Sequence, residues 1–241
     1  MLILTLAIGA ALAAPALSES SQPEHDDHTP LVEFPHPLIT EILAVVPKGD
    51  TGDANNDGTR DATTDEFVEL MNPHDEDIEI GGYTISDRNA GGQAAVEFTF
   101  PSMTLQPGEV VVIFNGKGNK FAAHVGTEQA QADEMGEVFG AWVYVMDNAG
   151  QFAGFSNKGD WVLLSDPKGK PIHVVSWGTF KEKLPTGEGL VKEQPADASD
   201  GSMCRYMVGG PMVGHTALNG KLFSPGTHPI KANMADDDPG R

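Results

Sequence analysis

Short apolar stretches separated by turn-forming residues recur along most of the chain. Their shortness and their content of Val, Ile and Phe are typical of β-strands rather than helices. The pattern predicts strands at residues 38–46, 65–72, 78–80, 83–86, 96–100, 109–114, 141–146, 160–165, 172–177 and 203–208. The run 109–114 is continuously apolar after its first residue, which indicates a buried strand.

Turn residues separate these predicted strands. Asn72-Pro73 ends one strand, Gly81-Gly82 divides two others, and residues 166–169 form the turn that joins strands 160–165 and 172–177. The 28 glycines and 17 prolines also fit a chain with many turns. Several short strands at regular spacing predict an all-β domain, either a β-sandwich or a barrel.

Two segments depart from the strand pattern. Residues 119–135 are rich in Ala, Gln and Glu and poor in β-branched residues, which predicts one inserted helix packed over an end or edge of the sandwich. Residues 181–200 lack an apolar pattern and are expected to form a loop.

The two ends of the chain differ in character from its middle. Residues 1–16 are almost wholly apolar and end in Ala14-Pro15-Ala16, which resembles a signal peptide with its cleavage site, although the first basic residue is only Lys48. We therefore expect secretion or display at the cell surface. Residues 17–37 are expected to be a disordered linker, 38–230 the β-domain and 231–241 an acidic tail. No later segment is long and apolar enough to predict a membrane span.

The excess of acidic residues limits the classes of molecule that the chain is expected to bind. The chain carries 35 acidic and 15 basic residues, a formal net charge of −20. This argues against nucleic-acid binding, which needs clustered Lys and Arg, and fits cation binding or simply an acidic, soluble surface. The single cysteine, Cys204, excludes an intrachain disulfide and is expected to be a buried small apolar residue. A secreted chain without disulfides commonly needs another stabiliser, such as a bound metal.

The strongest candidate for a metal site is the acidic loop, residues 50–66. It contains six carboxylates, with Arg60 as its only cation. Residues 53–58 follow the pattern D-x-N-x-D-G, which begins the calcium loops of EF-hand proteins. The predicted Ca²⁺ ligands are Asp53, Asn55, Asp57, Thr59 through its carbonyl, Asp61, Asp65 and Glu66.

The calcium pattern is incomplete. Thr64 occupies the twelfth position, where a bidentate Glu is expected, so Asp65 or Glu66 would have to close the site. The flanking segments are also strand-like rather than helical. The alternative is a solvated acidic loop without metal. Zn²⁺ is disfavoured because the loop has no Cys or His.

Seven segments, taken in order, resemble the lamin-tail domain family in its bacterial secreted type. They are ITEI at 39–42, DEFVELMN at 65–72, GYTISD at 82–87, LQPGE at 105–109, SNKGDWVLL at 156–164, SMCR at 202–205 and LFSPGT at 222–227. The resemblance spans about residues 38–229 and implies an immunoglobulin-like β-sandwich. It also implies a binding or anchoring module, because the family's catalytic companions are separate domains that this chain lacks. Fold alone does not fix function.

Catalytic motifs are scarce in the sequence. G-x-S-x-G, H-E-x-x-H and the phosphate-binding P-loop do not occur. A nuclease would depend on His124, His173 and His215, which are scattered, and His173 lies in a strand pattern that favours a structural role. Glu41 and Glu69 lie in the middle of two predicted strands, and if they are buried together, one can be protonated.

The sequence therefore favours a non-enzymatic, calcium-stabilised module that binds an extracellular protein or polysaccharide. The alternatives are a structural component of an envelope or matrix and, less favoured, a metal-dependent nuclease or glycosidase.

Overall fold

The computed structural model describes residues 28–88, 96–116, 141–146, 154–195 and 201–228. The strands are β1 (Leu38–Leu43), β2 (Phe67–Met71), β3 (Ile78–Glu79), β4 (Thr84–Ser86), β5 (Glu97–Thr99), β6 (Thr104–Leu105), β7 (Val110–Phe114), β8 (Trp142–Val145), β9 (Gly159–Ser165), β10 (Pro171–Gly178), β11 (Val191–Glu193), β12 (Met203–Cys204) and β13 (Val213–Gly214). A 3₁₀ turn, Asp50–Gly52, and a short helix α1, His215–Asn219, are the helical elements of the described residues.

The strands form two main sheets. The first has the order β13-β12-β1-β2-β7-β8, the second β11-β10-β9-β4-β5, and β3 pairs with β6 in a small third sheet. One apolar cluster draws side chains from both main sheets, including Val68 and Ile113 from the first and Val162 and Val175 from the second. The predicted all-β sandwich is therefore confirmed, in the immunoglobulin-like form that the resemblance implied.

The first sheet is apolar on both of its faces. Successive residues of a strand point to opposite sides, and in β7 Val111 faces the other sheet, whereas Val112 belongs to a second apolar cluster on the outer face. Phe67 and Met71 of β2 join Val112 in this outer cluster. This two-sided burial explains why β7 reads as a continuous apolar run rather than an alternating one.

Strand β8 runs parallel to β7, with Val112 opposite Val143. Parallel neighbours cannot be joined by a tight turn and need a long crossover connection. Here the connection comprises residues 115–141, and the helix predicted within it at 119–135 lies outside the described residues.

The predicted loop at 181–200 is wrong in part, because β11 lies inside it and pairs in parallel with β10, placing Val191 opposite His173. The predicted strand 203–208 is too long. It ends at Cys204, and the chain then turns, with the Gly210 N–H bonded to the Met207 carbonyl at 3.0 Å.

The N-terminal boundary also differs from the prediction. Val32 is buried, and the Leu31 N–H donates to the Val208 carbonyl at 3.3 Å. The His36 carbonyl lies 2.9 Å from Nε2 of His74. Residues 28–37, predicted to be disordered linker, thus pack against the sandwich because they supply apolar side chains and backbone partners. The predicted signal peptide and acidic tail lie outside the described residues. In the described ranges, no helix has the length and apolarity needed to span a membrane.

Candidate functional site

The first half of the acidic loop is folded by its own side chains. The carboxylate of Asp53 accepts hydrogen bonds from the N–H groups of Asp57 at 3.1 Å and Gly58 at 2.9 Å. Oδ1 of Asn55 also accepts from the Asp57 N–H, at 3.0 Å, and Oδ1 of Asp57 accepts from the Thr59 N–H at 2.8 Å. Such bonds are the usual way in which Asp and Asn stabilise turns. Gly58 has a φ of 94°, a conformation that suits glycine.

The carboxylate of Asp65 accepts hydrogen bonds from three backbone N–H groups of the loop. Its Oδ1 accepts from the N–H groups of Ala54 at 2.8 Å and Asn55 at 3.0 Å, and its Oδ2 accepts from the Asp61 N–H at 2.6 Å. Burial raises the pKa of Asp65, and the three backbone donors partly offset that effect. The side chain therefore joins the start of the loop to its end.

The negative charge of the loop has little compensation from its own cation. Arg60 donates from Nε to the Pro47 carbonyl and from Nη2 to the Val46 carbonyl, both at 2.9 Å. Asp61 instead accepts from the backbone of Thr63 and Thr64, and these bonds lower its pKa. The guanidinium of Arg60 thus binds the backbone of the segment that precedes the loop and does not form an ion pair with a carboxylate of the loop.

Glu66 lies apart from the other predicted ligands. Its Oε2 accepts from Nδ2 of Asn115 at 2.7 Å and from the Phe155 N–H at 3.0 Å. Burial raises the pKa of Glu66 to about 9, against the effect of these two bonds. A Cβ at Gly154 would lie 3.1 Å from Oε2, so glycine leaves room for the carboxyl group. Glu66 joins three segments at one end of the sandwich.

The remaining predicted ligands are close in the chain but not gathered around one point. Asp53, Asn55 and Asp57 share hydrogen bonds, whereas Asp61 and Thr59 are at the exposed side of the loop. In the part of the chain that the structure describes, no three His, Cys, Asp or Glu side chains form a group that could hold a metal ion. Each carboxylate oxygen has two lone pairs, so an oxygen of Asp53 that accepts a backbone N–H can also accept a second partner.

A second acidic cluster lies inside the first sheet. Glu41 of β1 and Glu69 of β2 are opposite each other in the strand register, and both side chains are buried. Burial raises the pKa of Glu41 to about 7, and burial together with the charge of Glu41 raises that of Glu69 to about 8. The sequence placed both residues in the middle of strands, and the structure confirms that they meet.

The pair binds the C-terminal part of the described chain. Glu41 accepts from Oγ of Ser202 at 2.6 Å and from the N–H and Oγ of Ser224 at 2.9 and 3.1 Å. Glu69 accepts from Oγ1 of Thr40 at 2.6 Å and from the Gly226 N–H at 2.8 Å. All four carboxylate oxygens therefore have donors.

A third buried cluster was not predicted as a unit. Nε2 of His173 lies 2.7 Å from Oε2 of Glu193, and the guanidinium of Arg205 contacts the same oxygen. Arg205 also donates from Nε to the Ile39 carbonyl at 2.9 Å and from Nη1 to the Gly210 carbonyl at 2.6 Å. The only signal in the sequence was the position of Arg205 in a family-like segment, since Glu193 lies in the segment expected to be a loop.

The side chains that a hydrolase would use are buried and take part in structural contacts where the structure describes them. His173 is fully buried in its ion-pair cluster, which agrees with the structural role expected for it. His215 is also buried, with Nε2 at 2.8 Å from Oγ of Ser224. Cys204 is buried as predicted, and burial raises the pKa of its thiol. His124 lies outside the described residues.

A small pocket lies where the N-terminal segment meets the turn between β9 and β10. It has a volume of about 100 Å³ and is lined by Leu31, Val32, Glu33, His36, Lys170, Ile172 and Gly189. Ligand pockets for drug-sized molecules are several times larger, at about 300–1,000 Å³.

Comparison with known proteins agrees with this architecture. The family model of the Lamin Tail Domain matches residues 39–179, which extend from β1 through β10. A search of curated proteins found no match. The family's domain is an immunoglobulin-like module for binding or structural roles. The match covers more than half of the 241 residues, and the chain therefore belongs to the lamin tail domain family.

Proposed function

We propose that this chain is a secreted or surface-displayed module that binds or anchors an extracellular protein or polysaccharide, is stabilised by Ca²⁺ and has no catalytic activity of its own. The main support is that its buried charged side chains form hydrogen bonds within the fold. Glu66, Glu69 and Arg205 each join segments that are distant in the sequence, through bonds that hold the sandwich together. These groups are therefore committed to the fold and not directed toward a substrate.

A binding role also fits the shape and charge of the domain. The pocket beside Lys170 is too small for a sugar ring or a nucleotide with its phosphates, and we propose that recognition uses contacts of the outer surface instead. Phe34 is 52% exposed and stacks edge-on against His74 at a ring distance of 5.4 Å. Exposed aromatic side chains held in one orientation are common anchors of protein interfaces.

The calcium proposal rests on the loop around Asp53. Its backbone is already folded into a tight turn by Asp53, Asn55 and Asp57, whose side-chain oxygens are of the type that Ca²⁺ prefers as ligands. We assign the Thr59 carbonyl and Asp61 as further ligands, and water would complete the shell. Asp65 and Glu66 are bound to backbone and Asn115, so we assign them to the folding of the loop rather than to the metal.

Calorimetric melting in Ca²⁺ and in EDTA tests the metal. With Ca²⁺ at about 100 times its dissociation constant, the native state gains about 2.7 kcal/mol. For a domain of this size that raises the melting temperature by roughly 5–10 °C. Asp57→Ala, which removes the ligand oxygens, should abolish the increase, whereas Asp75→Ala, an equal change of charge at an exposed site outside the loop, should preserve it. Superimposable curves for the wild type in Ca²⁺ and EDTA would refute the calcium site.

The absence of catalysis needs a separate experiment. The secreted chain is incubated with a panel of nucleic acids and glycans, and the products are followed by chromatography. We expect no turnover with or without Ca²⁺. Turnover that Asp57→Ala abolishes and Asp75→Ala preserves would instead identify a metal-dependent hydrolase.

The same preparation distinguishes a binding module from a structural component. Saturable binding of the monomer to one polysaccharide or surface protein, weakened by Phe34→Ala, would support the proposal. Assembly of the purified chain into polymers without another molecule would favour an envelope or matrix component.

A further inference from the structure

Residues 222–228, here called the closing segment, lie over the Glu41–Glu69 pair. Ser224 donates two hydrogen bonds to Glu41, and the Gly226 N–H donates to Glu69. The Leu222 carbonyl also accepts from the Ser202 N–H at 2.8 Å. Most of the bonds that hold this segment therefore end on two carboxylates.

The surroundings of the pair supply no counter-charge. In the first sheet, Cys204 is opposite Glu41 and Val112 is opposite Glu69. Two histidines are also near: His215 of α1, which reaches the pair only through Oγ of Ser224, and His228 of the closing segment itself, which is largely buried and feels the charge of Arg205. Within the described ranges, neither carboxylate has a Lys, Arg or His within ion-pair distance. Two ionised carboxylates buried side by side repel each other, and burial makes each charge costly.

We propose that the Glu41–Glu69 pair is a proton-dependent clasp, which keeps the closing segment docked while it holds at least one proton and releases it when both carboxylates are ionised. Ionisation of both carboxylates acts most directly on the closing segment, because most of the hydrogen bonds that hold it end on these two side chains. Its departure would let water solvate the two charges.

The direction of the pH dependence follows from burial. Burial raises the pKa of both carboxyl groups above 4.5, the ordinary value for glutamate, to about 7 and about 8. The docked state therefore retains protons that an open state has lost. The contribution of the pair to docking is therefore full below pH 4.5 and weakens as the pH rises through 7 to 8. His228 of the same segment, whose pKa burial lowers to about 4, acts in the opposite sense as the pH falls below 6.5, so the clasp is tested on the alkaline side.

Cys204 provides a reporter within the chain. It is the only cysteine, it is fully buried beside Glu41, and the charges of the pair act on its thiol. The rate at which a neutral disulfide reagent labels Cys204 is measured in the full chain between pH 6 and pH 9. Comparing variants at the same pH removes the rise of thiol reactivity that all of them share. The charges of the pair raise the pKa of the Cys204 thiol, so a neutral variant would by itself speed labelling, which is opposite to the protection that the clasp predicts.

Glu69→Gln imitates the protonated carboxyl group. Its amide oxygen accepts the Gly226 N–H and its NH₂ group donates to Thr40, so the docked geometry remains satisfied. At pH 9 we expect wild-type Cys204 to react at least about tenfold faster than Cys204 of Glu69→Gln, because each unit of pKa separation corresponds to a tenfold change in the equilibrium. At pH 6 the two rates should agree.

Controls make each outcome decisive. Glu76→Gln removes the same charge at an exposed position and should behave as the wild type. Glu41→Gln provides a second neutral pair and should behave as Glu69→Gln. Equal wild-type and Glu69→Gln rates at pH 9, protection in Glu76→Gln, or loss of folding at pH 6 in both pair variants by circular dichroism would each overturn the clasp.

Discussion

Arg205 shows how one buried side chain can hold several parts of this fold. Its guanidinium contacts Glu193 and the carbonyls of Ile39 and Gly210. Burial opposes the ionisation of Glu193, but the hydrogen bond from His173 and the charge of Arg205 outweigh it and lower the pKa of Glu193 to about 2. We expect Arg205→Met to lower the free energy of unfolding by about 3–5 kcal/mol, because it leaves a buried carboxylate without its cation. Urea denaturation at pH 7 measures the change.

Lys192→Met is the matched control for this substitution. Lys192 neighbours Glu193 in β11, but its side chain is exposed. Loss of an exposed charge usually changes stability by about 0.5 kcal/mol or less. Similar losses in Arg205→Met and Lys192→Met would mean that net charge, and not the buried ion pair, stabilises this edge of the sheet.

At the scale of elements, the hairpin of β9 and β10 has two glycines in register at the end opposite its turn, Gly159 and Gly178. Gly178 has a φ of 61°, and a Cβ there would lie 2.2 Å from the Lys158 carbonyl oxygen. Gly108 has a φ of 77°, with nothing within 4 Å of its Cβ position. We expect Gly108→Ala to cost about 1–2 kcal/mol for the left-handed backbone. Gly178→Ala should cost about 1–3 kcal/mol more, because the strand ends must separate. Thermal melting of both variants tests this order, and equal losses would contradict it.

The elements also show how far the sequence predicts the fold. Strands with antiparallel partners nearby in the chain, such as β9 and β10, were located correctly because apolar runs and the turn at 166–169 mark them. Strand β11 was missed because it is short, mostly polar and paired in parallel with β10, so no local turn announces it. In the acidic loop, Asp53, Asn55 and Asp57, which spacing alone had singled out, share the hydrogen bonds of one turn, and their role as metal ligands stays a prediction.

The partners of Glu66 could not be predicted from the spacing of residues in the sequence. Adjacent residues in an extended chain point to opposite sides, so Asp65 and Glu66 could not both face the loop. The structure turns Asp65 into the loop and Glu66 toward Asn115. The alternation of side chains along a strand therefore predicts that Asp65 and Glu66 point apart. It does not predict the partners of Glu66, including Phe155, which are far away in the sequence and are brought together only by tertiary packing.

For the whole molecule, buried acids and buried histidines act on stability in opposite pH ranges. Burial raises the pKa of Glu41, Glu66 and Glu69 to about 7, 9 and 8, above the ordinary 4.5. The folded chain therefore binds protons that the unfolded chain has released, so this stability is full below pH 4.5 and is lost as the pH rises to about 9.

The histidines limit stability on the acid side. Burial lowers the pKa of His173 and His228 below the ordinary 6.5, that of His228 to about 4. The unfolded chain then takes up protons first as the pH falls below 6.5, and stability is lost. The two trends place the maximum of stability between pH 4.5 and pH 6.5. Melting temperatures measured from pH 4 to pH 9 test this, and a maximum at pH 8 would contradict it. The double variant Glu41→Gln/Glu69→Gln should flatten the alkaline side while leaving the acid side unchanged, because the histidines remain.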